Sequence, residues 1–200
     1  MSHINPEVQL QIGEFSPTEK LADPSLSMFY KQLNDRHLWL DGEIDIENVS
    51  YFIQYIEYMN RHAENPELEK PITLHIFSPG GDLDTMFAMY DCIKKSKIPI
   101  HTINEGGAHS AAFIIFLAGH RRSMRPNAIF IAHQGGANIM GTYKQTRSSL
   151  KQYEKLVDKM VAIIVDETIL DTETIKNRFS EDEDWHIDLE TALQYKIITG

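Results

Sequence analysis

The sequence is poor in cysteine: Cys92 is alone among 200 residues. That excludes an intrachain disulfide framework, and a single thiol reads more simply as a small buried hydrophobe than as a nucleophile. It also fits a reducing compartment such as the cytoplasm. Basic residues are outnumbered, with 19 Lys and Arg against 29 Asp and Glu and a net charge of −10. A nucleic-acid binder would show the opposite balance or a clustered basic face, so that class is set aside. No apolar run is long enough to cross a bilayer, and the first residues lack the basic-then-apolar layout of a signal peptide. Internal repeats and low-complexity tracts are absent too. What is present, 42% hydrophobic and 24% charged residues, suits a globular chain with its own core.

From His37 onward, strand and helix patterns alternate. His37–Leu40 reads as a short strand closed by the Asp41-Gly42 turn. Val49, Phe52, Ile53, Ile56 and Met59 recur at helical spacing, which predicts a helix over about 46–61 with Asp45 as its N-cap. Residues 71–77 read as a strand, 83–95 as a helix and 98–103 as another strand broken by Gly106-Gly107. The nearly all-apolar run from Ser110 to Ala118 is a buried helix, and 128–132 is a strand. A long amphipathic helix over 142–168, a short one over 171–179, an acidic loop and a last helix near 189–195 complete the pattern. Short buried strands alternating with helices predict an α/β fold with mainly parallel pairing.

Ligand sites in such folds lie at the carboxyl ends of the strands. Three segments stand there. Ser78-Pro79-Gly80-Gly81 follows a strand and precedes a helix, so its backbone N–H groups can face a developing negative charge, although alone it is more simply a tight turn. It lacks the Lys-Ser/Thr pair of a nucleotide loop, and no cofactor is expected. Gly106-Gly107-Ala108-His109-Ser110-Ala111 places a hydroxyl at the start of a buried helix, the logic of a nucleophile elbow, although alone Ser110 reads as a helix cap. Ala132-His133-Gln134-Gly135-Gly136 ends a strand with an imidazole, the base a serine needs at neutral pH. A structural histidine is the plainer alternative, and no His or Cys pair has zinc-site spacing, so no metal is assigned. An orienting carboxylate for the imidazole is sought among Glu181, Asp182, Glu183 and Asp184, most of which read as a solvated loop.

In this order and on these elements, Ser78–Gly81, Gly106–Ser110, Pro126-Asn127 and His133–Gly136 resemble the proteolytic subunit of the Clp protease (ClpP), over roughly Leu38 to Ile198. The resemblance implies a ClpP/crotonase-like fold of repeated β-β-α units with a protruding strand–helix handle. It implies Ser110 as nucleophile, His133 as general base and Asp184 as third member, by counting back from Thr191-Ala192; a slip in that count would bring Glu183 or Asp182 there. Gly80 and Ala111 would donate the oxyanion N–H groups, and Gly81, Gln134, Gly135 and Gly136 would line the substrate. It further implies stacked seven-membered rings fed with unfolded polypeptide by a hexameric AAA+ unfoldase. Residues 1–28 would be a flexible arm, either a propeptide or a pore segment, and 29–200 a single protease domain. Departures are Ala111 where the family has methionine, His109 beside the serine, Thr168-Ile169 for Thr-Gly, and Tyr195-Lys196 for Tyr-Gly. The implied activity is that of a serine endopeptidase. An inactive ring-building subunit and a crotonase-type acyl-CoA enzyme are the alternatives.

Overall fold

The computed structural model describes residues 24–63, 70–136, 139–181 and 184–199. Helix α1 (Pro24–Asn34) leads into strand β1 (His37–Leu40). Residues 24–28, expected in a loosely ordered arm, form the first turns of this helix; the rest of the expected arm lies outside the described residues. Helix α2 (Ile46–Arg61) begins where predicted, because the Asp45 carboxylate accepts the Asn48 N–H at 2.8 Å, and it buries Val49, Phe52, Ile56 and Met59. Strand β2 (Ile72–Ser78) feeds helix α3 (Leu83–Lys94), capped by Asp82.

Strand β3 (Ile100–His109) runs past the glycines that were expected to break it. Gly107–His109 pair in register with Ile129–Ile131, so the ladder continues onto a new neighbour. Helix α4 (Ala111–Leu117) is buried at all seven positions. Strands β4 (Arg121–Met124) and β5 (Ile129–Ala132) follow, then helices α5 (Tyr143–Glu167) and α6 (Thr172–Glu181), strand β6 (Trp185–Ile187) and helix α7 (Leu189–Gln194). The sheet order is β1-β2-β3-β5-β6, with β4 paired to β3 beside that path; only β5–β6 is antiparallel. Strands β4 and β6 carry too few apolar residues in alternation to declare themselves in sequence.

The core fills the space between the sheet and α2, α3 and α4, with Phe113 and Phe116 packed on Phe130 at ring-centroid distances of 5.3 and 4.7 Å. Helix α5 enters this core only in its second half, through Met160, Val161 and Ile164, whereas Tyr143 and Leu150 near its start are exposed. That division suits a helix projecting from the domain. The described residues between β5 and α5 carry no strand.

Two carboxylates tie the strands and helices together. Glu105 on β3 binds His75 at 2.6 Å and Arg125 at 2.7 Å, and His75 in turn meets His37 at 2.7 Å. Glu167, at the end of α5, binds Arg122, Lys94 and the Tyr90 hydroxyl at 3.0, 2.7 and 2.9 Å. Burial pushes both carboxyls up, but these bonds and the neighbouring positive charges outweigh it and hold both below the usual carboxylate value of 4.5. An unfolded chain binds those protons first as pH falls. The stabilisation is therefore complete above pH 4.5 and is lost as pH drops through the lower folded values. The thermal midpoint is expected to fall in that window. Glu105→Gln should lower the neutral-pH midpoint and flatten part of the acid fall. Identical pH profiles for variant and parent would count against the Glu105 assignment.

Candidate active site

The three glycine-bearing segments converge at the carboxyl edge of the sheet, after β2, β3 and β5. Ser110 stands at the β3–α4 junction with φ 54° and ψ −120°, a conformation that L residues rarely adopt. Such backbone strain is of order 1–3 kcal/mol and collects where side-chain placement matters. The residue is held there by its own N–H on the Ile131 carbonyl at 2.7 Å and by its carbonyl on Phe113 N–H at 3.0 Å. Its side chain makes no capping hydrogen bond, so the helix-cap explanation of Ser110 fails.

Gly80 lies directly against this elbow. A Cβ there would sit 2.7 Å from the His109 carbonyl, 2.8 Å from Ser110 Cβ and 3.1 Å from Ala111 N, and its φ of +98° favours glycine. Its N–H, expected to face the oxyanion, is instead turned onto Ser78 Oγ at 3.2 Å, and Ser78 Oγ is anchored on the Gly42 carbonyl at 2.6 Å. The adjoining bridge to Ile44 uses the Gly80 carbonyl and the Asp82 N–H, and does not engage the Gly81 N–H.

The imidazole and the carboxylate meet. His133 Nδ1 is 3.1 Å from Asp184 Oδ1; the two alternatives, Asp182 and Glu183, lie outside the described residues. The pairing follows from the antiparallel register of β5 on β6, since Ala132 opposes Trp185 and the next pair out is His133 and Asp184. His133 Nε2 is buried and has no hydrogen-bond partner among the described residues, so the Ser110–His133 bond of a working triad is not made. Sequence reasoning missed His186, which shares a sheet row with Ile131 and His109. Burial, and then the charge on His186, push the His109 imidazole below its usual value; Asp184 opposes them.

A strained serine on a β–α elbow, a carboxylate-held imidazole and a glycine turn packed on the serine are residue types from which an acyl-transfer site can be built. Residues 22–200 match the family model for the Clp protease. The chain belongs to the Clp protease family. It is 33% identical over 175 residues to an ATP-dependent Clp protease proteolytic subunit 2 of Treponema denticola, covering 86% of this chain and 84% of that one. A proteolytic subunit of Deinococcus radiodurans is 27% identical, over 87% and 83% of the two chains. A point mutant of ClpP1 from Listeria monocytogenes superposes with a TM-score of 0.74 at 22% identity, over 86% of this chain and 93% of that one, which supports the fold. Among the described residues, no helix of this Clp-family chain is long and apolar enough to cross a membrane.

Proposed function

We propose that this Clp-family chain is a serine endopeptidase subunit that hydrolyses unfolded polypeptides inside a ring-shaped chamber. The single observation that carries the reading is the strained, uncapped Ser110 on the same sheet edge as the His133–Asp184 pair. Ser110 Oγ attacks the peptide carbonyl as His133 Nε2 takes its proton, and Asp184 holds the ring at Nδ1 so that Nε2 is the basic atom. That buried Nε2 has no partner among the described residues, which leaves it available to Ser110. The developing oxyanion is received by the Ala111 N–H at the helix start and by the Gly81 N–H, with Gly80 supplying space rather than a donor; each such donor is worth about 3 kcal/mol. His133 then protonates the leaving amine, and water releases the acyl group from Ser110. Gln134, Gly135 and Gly136 border the extended substrate as an added-strand edge, where small residues let two backbones approach. The assembly is two stacked heptameric rings joined through the projecting half of α5, fed by a hexameric AAA+ ATPase, in the cytoplasm.

The test is covalent labelling of the full chain with a fluorophosphonate, followed by peptide mapping. One adduct on the peptide containing Ser110 is expected. An adduct on another serine, or none, would overturn the nucleophile assignment, and the latter is the result a purely ring-building subunit would give.

A further inference from the structure

We propose that Tyr153 is a positioning residue of the peptidase site, an inference that rests on the serine-peptidase reading above. Tyr153 lies in the projecting half of α5, where its periodicity alone marks it as one more apolar-face residue. The structure gives its hydroxyl a specific task. Tyr153 Oη donates to the Gln134 carbonyl at 2.8 Å, and Gln134 Nε2 donates to the Phe179 carbonyl on α6 at 2.7 Å. The residue next to the base is thus pinned twice: its carbonyl by α5, its side chain by the helix that leads to Asp184. Burial raises the Tyr153 phenol above its usual value of 10.0, which keeps it a donor throughout the working range.

Gly135 makes this corner dependent on that hydroxyl. It takes φ +78°, and a Cβ on it would stand 2.8 Å from Tyr153 Oη. Glycine visits both signs of φ about equally, so the backbone at Gly135 is fixed from outside rather than by its own sterics. Without the Tyr153 bond, the Gln134–Gly135 peptide is free to turn. Both His133, the residue before it, and the substrate edge at Gly136, the residue after it, then lose their set direction. The His133–Asp184 contact, with Asp184 half-exposed, is not by itself a rigid mount for the ring. Helix α5 packs on the core from Val157 onward, beyond Tyr153, so losing this hydroxyl leaves the packing of the domain in place.

The experiment compares the parent chain with Tyr153→Phe, Gly135→Ala and the double variant. It measures the rate of fluorophosphonate labelling at Ser110, kcat and KM on a short fluorogenic peptide, and the thermal midpoint. Tyr153→Phe is expected to slow labelling and lower kcat about three- to tenfold, the range of one hydrogen bond, with the midpoint unchanged. Gly135→Ala acts by displacing the same hydroxyl, so the double variant is expected within about twofold of Gly135→Ala alone. Labelling of Tyr153→Phe at the parental rate overturns the proposal, as do single losses that multiply in the double variant. A fall in thermal midpoint that accounts for the lost rate would make Tyr153 merely structural and overturns it as well. A parent chain that takes no label fails the serine-peptidase reading and the proposal with it. A labelled parent with an equally fast Tyr153→Phe fails the proposal alone.

Discussion

Gly80→Ala is expected to cut hydrolysis of a short fluorogenic peptide by at least about 100-fold, the loss typical of a disabled oxyanion site. The methyl group would press on the His109 carbonyl, Ser110 Cβ and Ala111 N together, at 2.7, 2.8 and 3.1 Å. Two of those atoms are backbone, and all three lie on the elbow that aims the proposed nucleophile, Ser110. Neither side can yield cheaply. Ser110 is already strained and bound to Ile131, and Gly80 is fixed by its carbonyl on Ile44 N–H at 2.8 Å and its N–H on Ser78 Oγ. The φ of +98° adds a penalty for alanine whatever the space. Ser110→Ala removes the proposed nucleophile altogether and sets the floor for the comparison. Circular dichroism and the thermal midpoint separate a misfolded Gly80→Ala chain from a folded, inactive one. A folded variant within about threefold of the parent rate would show that Gly80 does not shape the site, since displacing the Ala111 N–H donor alone would cost more than that.

Much of this site was legible in sequence because it sits where strand patterns stop. The apolar alternation of β2, β3 and β5 ends on Ser78, His109 and Ala132, and each end is punctuated by glycine or followed at once by a polar side chain that the sheet cannot absorb. The role of Gly80 was not legible. A glycine pair after a strand announces close approach, but not which N–H is engaged, and here the Ser78 hydroxyl takes the first one. Asp184 could be reached only by counting, because four consecutive acids have no periodicity; the β5–β6 register, which no run of three residues reveals, picks it out. Tyr153 was hidden for the opposite reason: it fits the apolar stripe of α5, and periodicity says nothing about where a hydroxyl at its edge will point. Lys196 stands where the resembled family has glycine and adopts φ 55°, a conformation that costs a side-chain-bearing residue more than glycine.

Arg122→Met is expected to destabilise the fold by about 3–5 kcal/mol, the range for removing one partner of a buried ion pair. Arg122 is buried, and its guanidinium serves three distant segments at once. It donates to the Leu117 carbonyl at the end of α4 (2.9 Å) and to the Ile197 carbonyl near the end of the chain (2.8 Å). It also donates to both the carbonyl and the carboxylate of Glu167 at the end of α5 (2.7 and 3.0 Å). Methionine keeps much of the volume but leaves these acceptors facing an apolar group, and burial would no longer be balanced at Glu167 by its closest buried cation. The Glu167→Gln/Arg122→Met double variant removes a carboxylate left with the half-exposed Lys94 as its cation, so it should recover part of the loss but not the bonds to the Leu117 and Ile197 carbonyls. Urea unfolding followed by tryptophan fluorescence reads the difference, since Trp185 lies on β6 between α6 and α7. A loss below about 1 kcal/mol would place Arg122 among ordinary surface pairs, where it would not be needed to hold the helix behind Ser110.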